Sequence, residues 1–477
     1  MAQKLIGREF ECKELDRCLK SNKSELVVIY GRRRIGKTFL IEQHFKQKFD
    51  FWFVGTRGLT TKEQLRNFAD KLSEYSGKGG YKFKDWLDAF SALRQYLKSL
   101  SKRRKLVVFI DEMPWIDSGR SNFVPALEYF WNGWAMSQDN IMLIATGSST
   151  SWMHEKLIAN KSGLHGRITS RIHINPFTLN ESEKYLKSMG IKWDRYQILQ
   201  SYMLLGGVPY YYSVLSPDLS LTQNVDLLFF KHDGKLRGEF DELYNALFTH
   251  ADLYIEIVKT LCEHKFGLTY QELSDTIKKD GGNVSKALKN LERCDFVEKW
   301  PQYGGKKYKE VYRLTDFYTL FYYKFIDRNN THDEQWWSKN FTSRSVSSWM
   351  GICFEMICQK HHRQIKEAMG LSVISTETST WKFIPPKDSD EQGAQIDMII
   401  ERADRIIHLC EIKFWKGQFQ IKKDYDLQLR ERMRLFESQL KTKKTLLNTF
   451  ITTYGVANAS GHSIVDGELT MDDLFRP

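Results

Sequence analysis

The chain has 477 residues, of which 42% are hydrophobic and 14% aromatic, and its formal net charge is +12. This length is too great for one ordinary core, so we expect two to four folded domains and no long disordered region. No apolar run approaches the roughly 18 residues of a membrane span, there is no signal peptide, and the seven cysteines form no C-x-x-C pair. These features predict a cytoplasmic protein with reduced thiols and no membrane partner.

A complete phosphate-binding loop follows the first predicted strand. Residues 31–38 fit the pattern G-x-x-x-x-G-K-[ST], between an apolar strand at 25–30 and a helical pattern at 39–45. In such a loop the backbone N–H groups bind phosphate, the lysine reaches the β- and γ-phosphates and the hydroxyl binds Mg²⁺. We therefore expect ATP with Mg²⁺ to bind at the eight loop residues, which are Gly31, Arg32, Arg33, Arg34, Ile35, Gly36, Lys37 and Thr38.

A second block of sequence fits this loop. An apolar strand at 105–111 ends in the acidic pair Asp111 and Glu112. In a parallel sheet the carboxyl end of a buried strand is where ligands bind, so we expect Asp111 to hold Mg²⁺ and Glu112 to orient or deprotonate the attacking water. The alternative is a strand followed by a solvated acidic turn.

Three further strands are predicted in residues 1–178, at 50–54, 140–146 and 171–175. Strands that alternate with helices predict a parallel sheet covered on both faces. Thr146, Ser148 and Ser149 follow the fourth strand. They either sense the γ-phosphate or cap the next helix.

The middle of the chain is predicted to be mainly helical. Residues 179–248 show helical patterns interrupted at 205–209, and residues 249–315 show two helices, at 268–275 and 283–291, before strands at 294–300 and 307–313. This order predicts a helix-turn-helix with a wing. Lys286 and Lys289 lie on one face of the second helix, which together with the basic net charge suggests a DNA-binding face. Packing against neighbouring elements is the alternative.

The aromatic stretch 316–326 is predicted to be core, and residues 329–340 are predicted to be a linker, including Asn329, Asn330, Thr331 and His332.

A third group of charged residues lies in the last 140 or so residues. Beyond the predicted linker, strands at 395–400 and 406–413 form a hairpin that can bring Asp397 near Glu411 and Lys413. Two carboxylates and a lysine on one face can bind Mg²⁺ and activate water, and Glu355 in the helix at 350–366 can complete the site. The alternative is a charged surface hairpin.

The spacing Asp397…Glu411-Ile-Lys413 resembles the PD-(D/E)xK superfamily of restriction-endonuclease-like domains, with Ile396 where the family name has proline. This resemblance implies a C-terminal α/β nuclease-like domain with Mg²⁺ on Asp397 and Glu411. Lys413 and Glu355 would assist catalysis. DNA is the substrate that it implies.

The whole chain resembles archaeal-type P-loop ATPases of the AAA+/STAND division that carry a C-terminal nuclease-like domain. Residues 5–11, Leu-Ile-Gly-Arg-Glu-Phe-Glu, resemble the stretch that flanks adenine, and Gly206-Gly-Val-Pro209 resembles the lid motif. The stretch from Gly166 to Arg171 resembles one that offers an arginine, here Arg167 or Arg171, to the nucleotide of a neighbouring subunit. That role implies an ATP-dependent homo-oligomer.

The expected architecture is therefore α/β: a P-loop AAA+ core at 1–178, a helical lid at 179–248, a winged helix at 249–328 and a restriction-endonuclease-like domain at 329–477. The expected function is an ATP-hydrolysing switch coupled to a nuclease-like effector that acts on DNA, in defence or mobile-element biology. One alternative is a regulatory ATPase whose winged helix binds DNA or protein and whose nuclease-like domain is inert. Another is a scaffold stabilised by nucleotide.

Overall fold

Two compact units make up the chain in the computed structural model, one of residues 1–176 with 245–249 and one of residues 177–244 with 250–477. The structure describes residues 5–101, 103–159, 163–248, 250–279, 281–304, 310–327, 329, 333–385, 393–457 and 462–477. In the described residues no helix is long and apolar enough to cross a membrane.

The first unit is built on a five-stranded parallel sheet in the order β2-β3-β4-β1-β5. Its strands are β1 (Glu25–Tyr30), β2 (Phe51–Val54), β3 (Leu106–Asp111), β4 (Ile141–Gly147) and β5 (Ser170–His173). Its helices are α1 (Glu9–Lys20), α2 (Lys37–His44), α3 (Thr61–Ser76), α4 (Trp86–Ser99), α5 (Met113–Ile116), α6 (Phe123–Gly133) and α7 (Thr150–Trp152). Each predicted strand is confirmed to within a residue or two at its ends.

Both faces of this sheet are covered by apolar side chains. Leu26 and Val28 of β1 belong to one hydrophobic cluster, and Val27 and Ile29 belong to another. Alternate residues of a strand point to opposite faces, so a strand that is apolar throughout must be buried from both sides. The prediction of a doubly covered parallel sheet is confirmed.

The second unit begins with helices and continues with a small antiparallel sheet. Its first helices are α8 (Leu179–Ser188), α9 (Arg195–Leu205), α10 (Pro209–Ser213) and α11 (Leu221–Val225), and α12 (Glu239–Leu247) crosses the boundary between units. Next come α13 (Ala251–Glu263), α14 (Tyr270–Ile277), α15 (Gly281–Arg293), β6 (Val297–Pro301) and β7 (Glu310–Leu314). Strands β6 and β7 pair antiparallel. The predicted helices and strand pair are present, although residues 305–309 of the predicted wing lie outside the described residues.

Local sequence fixes where several of these helices begin. In a capping box the N-cap side chain accepts a hydrogen bond from the backbone N–H of the third helical residue. The side chain of that residue in turn accepts a hydrogen bond from the backbone N–H of the N-cap. This arrangement starts α3, α8, α9, α11 and α14, at Thr60, Thr178, Asp194, Ser220 and Thr269. These helices therefore have a start signal that is independent of tertiary packing.

The segment predicted to be a linker is partly packed structure. Asn330, Thr331 and His332 lie outside the described residues, but α17 (Trp336–Asn340) follows, after α16 (Phe317–Phe321). Trp337 is completely buried, and its backbone N–H donates to Asp226 Oδ1 at 2.8 Å. The linker prediction is therefore wrong for residues 336–340. Trp336 and Trp337 pack against other aromatic side chains, although polar residues precede them in the sequence. The aromatic stretch 316–326 is core, as predicted, with Phe317, Tyr318 and Phe321 almost fully buried.

A mixed five-stranded sheet forms the last part of the chain, in the order β12-β11-β10-β9-β8. Its strands are β8 (Thr376–Phe383), β9 (Ala394–Arg402), β10 (Ile406–Lys413), β11 (Thr445–Thr452) and β12 (Gly467–Thr470), and its helices are α18 (Arg344–Lys360), α19 (His362–Ala368) and α20 (Lys423–Leu440). Strands β8, β9 and β10 pair antiparallel, whereas β10, β11 and β12 pair parallel. The predicted hairpin at 395–413 is confirmed, with its turn at Ala403–Arg405.

Candidate functional site

The phosphate loop joins the end of β1 to the start of α2. Arg34 and Gly36 have φ angles of 75° and 82°, in the left-handed region. Gly31 has no room for a side chain, since a Cβ there would lie 2.5 Å from the carbonyl oxygen of Ile174. Glycine is the residue that accepts such a conformation and such close backbone approach without strain, so the glycines of the motif are required by the loop itself.

Lys37, the first residue of α2, is buried, and its ammonium is held by the loop. Lys37 Nζ donates to the carbonyl oxygens of Gly31 at 2.9 Å and Arg32 at 3.0 Å. Arg8, from the motif at 5–11, also reaches the loop and donates from Nη2 to the carbonyl oxygen of Ile35 at 3.4 Å. The N-terminal motif and the lysine thus both contact the backbone that would bind phosphate.

Asp111 lies at the carboxyl edge of the sheet and connects three elements. Its Oδ2 accepts a hydrogen bond from Thr38 Oγ1 at 2.7 Å, and its Oδ1 accepts one from Thr146 Oγ1. Asp111 ends β3, Thr146 lies near the end of β4, and β4 is the neighbour of β1 in the sheet. The parallel order therefore brings together residues that are more than 100 positions apart in sequence.

Glu112 follows Asp111 in a left-handed conformation, with φ of 50°. This conformation is uncommon for a residue with a side chain. Glu112 Oε2 accepts hydrogen bonds from Ser148 N at 3.0 Å and Ser148 Oγ at 2.8 Å. Ser149, the N-cap of α7, makes no side-chain capping bond. Thr146 and Ser148 therefore hold the acidic pair, and helix capping by Ser149 is not seen.

The chemistry of these groups fits ATP with Mg²⁺. A loop of backbone amides and an ammonium suits phosphate, and a threonine hydroxyl beside a carboxylate supplies the hard oxygen ligands that Mg²⁺ prefers. Thr38 and Asp111 are the residues that would hold the ion. The Thr38 hydroxyl already donates a hydrogen bond to Asp111 Oδ2, at 2.7 Å.

The two arginines predicted to act across a subunit interface are both exposed. Arg171 lies on the edge strand β5, opposite Val28 of β1, and Arg167 lies in the turn before that strand. Gly206 has a left-handed φ of 65° and ends α9, and Pro209 is the first residue of α10. The Gly-Gly-Val-Pro motif is therefore the junction of two helices in the second unit.

A buried carboxylate is the centre of the C-terminal site. Glu411 on β10 is 2% exposed and is bound by three side chains. Lys413 Nζ lies 2.6 Å from its Oε1, Arg432 Nη2 lies 2.5 Å from its Oε2, and the Tyr425 hydroxyl donates to Oε1. Burial acts to raise the pKa of Glu411, but the charges of Arg432 and Lys413 and the hydrogen bonds from Lys413 and Tyr425 lower it to about 2. Glu411 is therefore ionised at neutral pH.

Asp397 and Glu355 complete the acidic group. Asp397 lies on β9, and since Cys410 pairs with Met398, the antiparallel register places Asp397 next to Glu411. Burial and the charge of Glu411 raise the pKa of Asp397. Burial and the charge of Asp397 likewise raise the pKa of Glu355 to about 7. Lys265, in the segment between α13 and α14, lies 3.5 Å from Glu355 Oε1 and partly offsets this repulsion.

Sequence reasoning missed Lys265 beside Glu355 and two residues that bind Glu411. Tyr425 and Arg432 are both on α20 and both bind Glu411. They are seven positions apart, which places them on one face of a helix. That spacing is the signal that could have found them, although nothing in it specifies Glu411 as the partner.

Asp397 and Glu411 have the donor chemistry of a Mg²⁺ site. Carboxylate oxygens are the ligands that Mg²⁺ takes in proteins. Burial, and to a lesser extent the charge of a neighbouring carboxylate, raises the pKa values of Glu355 and Asp397, and a bound cation would favour their ionised forms. In the part of the chain that the structure describes, no group of three or more His, Cys, Asp or Glu side chains is arranged to hold a metal ion. A metal here would rest on the pair Asp397 and Glu411.

The pKa of Glu355, raised by burial and by the charge of Asp397, predicts a pH dependence of stability in metal-free buffer. The pKa is about 7 in the folded chain against 4.5 for the ordinary group, so between these values the folded state binds more protons than the unfolded state. The free energy of unfolding should therefore fall as pH rises from 4.5 to 7, by up to about 3 kcal/mol. Chemical denaturation of wild type and Glu355→Gln at several pH values measures the difference. An identical pH dependence in both proteins would contradict the prediction.

The N-terminal part of the chain, from the first unit through α10 of the second, matches a family of known proteins. Residues 5–214 match the family model described as "ATPase domain predominantly from Archaea". An uncharacterized protein of Methanocaldococcus jannaschii is 24% identical over 476 residues, covering 98% of this chain and 99% of that protein. Residues 5–214 thus form an archaeal-type ATPase domain, which confirms the predicted P-loop ATPase. The family match ends before α13, so the nuclease-like site rests on the residues described above.

Two solved structures match much of the chain. The Walker-type ATPase of Pyrococcus abyssi has a TM-score of 0.48 at 17% identity and covers 67% of this chain and 96% of its own. The ORC2 protein of Aeropyrum pernix, solved as ADPNP-ADP complexes, has a TM-score of 0.41 at 14% identity and covers 75% of this chain and 96% of its own.

Proposed function

We propose that this protein is an ATP-hydrolysing switch that controls a Mg²⁺-dependent DNA-cleaving domain. The single observation that carries the nuclease half is the buried Glu411, which three side chains hold next to Asp397 on the neighbouring strand. A fully buried carboxylate with this many partners is costly to build and is not expected of a charged surface hairpin. Buried groups with perturbed pKa values cluster at functional sites.

In the ATPase half each residue has a proposed task. Lys37 neutralises the β- and γ-phosphates, Thr38 and Asp111 hold Mg²⁺, and Glu112 takes the proton of the attacking water. Ser148 orients the Glu112 carboxylate through the two hydrogen bonds that it donates. Arg167 and Arg171 are proposed to act on the nucleotide of a neighbouring subunit, for which their exposure leaves them accessible.

In the nuclease-like half Asp397 and Glu411 would hold Mg²⁺, which lowers the pKa of bound water and neutralises phosphate charge when present. Lys413 stays charged because it pairs with Glu411 at 2.6 Å, and it stabilises the negative charge that develops on the phosphate. Glu355, with a pKa of about 7, can accept or release a proton near neutral pH. Arg432 and Tyr425 fix the orientation of Glu411.

A second function is a regulatory ATPase with an inert nuclease-like domain. The observation in its favour is that both oxygens of Glu411 are already engaged, by Lys413 and Tyr425 on one and by Arg432 on the other. In that case the winged helix at 249–328 would bind DNA or protein through the face that carries Lys286 and Lys289, both of which are exposed.

Supercoiled plasmid and labelled single-stranded DNA separate the two functions. Wild-type protein with Mg²⁺ or Mn²⁺ should nick or cut DNA, and ATP should change the rate. EDTA should stop the reaction. If no metal or nucleotide condition yields cleavage while ATP is hydrolysed, the second function replaces the first.

Glu112→Gln is expected to retain ATP binding within about threefold and to lose at least about 100-fold in turnover. The amide keeps an oxygen that can accept the hydrogen bonds from Ser148 but cannot act as a base, and general-base catalysis contributes about 10²–10⁴-fold. Nucleotide binding and phosphate release measure the two effects. Glu74→Gln, an exposed position on α3, is the matched control. Undiminished turnover in Glu112→Gln would place the base on another residue.

A further inference from the structure

Trp415 lies two residues beyond Lys413 and is the exposed member of the 13 tryptophans, with 55% of its surface accessible. Its neighbour Phe414 is packed: it stacks on Tyr196 at 5.2 Å with an interplanar angle of 3° and lies 5.7 Å from Phe354. Phe414 therefore fixes the segment to the protein. Trp415 is left with most of its surface in solvent.

The exposed indole is held in place. The Trp415 backbone N–H donates to Thr453 Oγ1 at 2.8 Å, and the ring meets the Phe419 ring nearly perpendicularly at 6.2 Å. Phe419 is itself anchored, because its N–H donates to the Gly455 carbonyl oxygen at 2.8 Å. A large exposed apolar side chain with an anchored backbone and an anchored ring beside it loses less freedom when a partner binds, which favours binding.

Further contacts connect Phe419 with the buried carboxylate of Glu411. Phe419 packs against Tyr425 at 5.8 Å and 78°, and the Tyr425 hydroxyl donates to Glu411. Lys413 Nζ lies 5.5 Å from the centre of the Tyr425 ring. Through Phe419 and Tyr425, a chain of contacts therefore connects the indole to the group that would hold the metal.

The segment that carries this indole is basic. Residues 413–426 contain four lysines and two aspartates, and the lysines at 416, 422 and 423 are exposed, as is Asp424. Asp426 is paired with Arg430 at 2.9 Å, which leaves it less able to repel an anion. The partner that this surface fits is thus anionic and has a flat apolar face.

We propose that Trp415 stacks on an unpaired base of a DNA strand whose phosphates are attracted by Lys416, Lys422 and Lys423. Nucleic acid is the partner that combines regularly spaced phosphates with flat π-faces, and aromatic side chains among lysines are the usual way in which proteins bind single strands. In a duplex both faces of an internal base are stacked on its neighbours, so the inference, which rests on the proposed function, assigns single-stranded or locally opened DNA as the substrate.

The test measures binding by fluorescence anisotropy, with Ca²⁺ in place of Mg²⁺. A fluorescein-labelled single-stranded oligonucleotide of about 15 nucleotides is compared with the same sequence as a blunt duplex. Trp415→Ala should weaken single-strand binding about 5- to 150-fold, which corresponds to a stacking contribution of about 1–3 kcal/mol. Trp415→Phe should stay within about threefold of wild type. Duplex binding should change less than about threefold in both variants.

The salt dependence distinguishes stacking from charge. Trp415→Ala should leave the slope of log K against log salt unchanged, whereas Lys416→Ala should reduce it, because a phosphate contact releases a counterion and a stacked base does not. Tyr129→Ala removes an aromatic side chain that is 68% exposed in the ATPase domain and is the matched control. Thermal unfolding of each variant checks the fold.

Three outcomes would overturn the inference. If wild type binds or cleaves DNA and Trp415→Ala binds single strands equally well, Trp415 is not a stacking residue and the proposed function stands. If Trp415→Ala loses single-strand and duplex binding to the same extent, the indole contacts a feature that both forms share, or a protein partner covers it. If wild type binds neither form of DNA, the inference and the nuclease half of the proposed function both fail.

Discussion

Replacing Lys37 with alanine is expected to weaken ATP binding about 10- to 150-fold and to abolish hydrolysis. Charge-assisted hydrogen bonds contribute about 1.5–3 kcal/mol each, and the Lys37 ammonium is positioned within the loop by the carbonyl oxygens of Gly31 and Arg32. Backbone N–H groups still bind phosphate without the lysine, so residual binding is expected. Equilibrium binding of a fluorescent ATP analogue and release of phosphate measure the two effects.

Lys62→Ala provides the matched control for this variant, because Lys62 is exposed on α3, outside the loop sequence. It should behave as wild type in both assays. Thermal unfolding without nucleotide should be similar for the two variants and wild type, which would show that the loss at Lys37 is local. Normal affinity and normal turnover in Lys37→Ala would refute the assignment of residues 31–38 as the phosphate site.

Glu411→Gln and Lys413→Ala are each expected to reduce DNA cleavage at least about 100-fold and to leave ATP hydrolysis unchanged. The amide of the glutamine cannot hold a divalent cation as a carboxylate does, and losing a group that stabilises transition-state charge typically costs about 10²–10³-fold. The ATPase groups lie in the other unit of the chain. Plasmid nicking and phosphate release, measured on the same preparations, give both quantities.

The choice of glutamine rather than alanine at 411 follows from the contacts there. Glu411→Ala would leave the Arg432 guanidinium buried without its carboxylate, and breaking a buried ion pair in this way costs about 3–5 kcal/mol of stability. Glu431→Gln, an exposed position beside Arg432 on α20, is the matched control. Variants at 411 and 413 that nick as fast as wild type would show that the activity comes from elsewhere.

The two sites differ in how their residues are supported. In the ATPase domain Asp111 and Glu112 accept hydrogen bonds from the hydroxyls of Thr38, Thr146 and Ser148. In the C-terminal domain Glu411 is held by two cations and a phenol, and its pKa is about 2. Asp397 has its pKa raised by burial and by the charge of Glu411. The two neighbouring carboxylates therefore have opposite pKa shifts, because cations bind Glu411 whereas Asp397 is buried beside its negative charge.

The sequence alone predicted the strands and helices of the ATPase half. The phosphate loop is a continuous stretch, and its strand and helix neighbours follow from local periodicity, so the pattern at 25–45 specified β1 and α2 and marked the residues that we propose for the site. The acidic pair Asp111 and Glu112 was likewise predicted from its position at the end of an apolar run. The hairpin that carries Asp397, Glu411 and Lys413 was found from alternation and a turn.

What only the tertiary structure decided is how separate segments meet. The bond from Thr146 to Asp111 depends on the order of β3 and β4, and the contacts of Arg432 and Tyr425 with Glu411 depend on where α20 packs. Trp336–Asn340 was predicted to be a linker because polar residues precede it. The Trp337 ring instead packs against Phe321 and Phe325, and its backbone N–H donates to Asp226, which lies 111 positions earlier. Local periodicity describes an element and its apolar face, whereas the partner of a buried charge or ring is set by long-range packing that a single sequence does not encode locally.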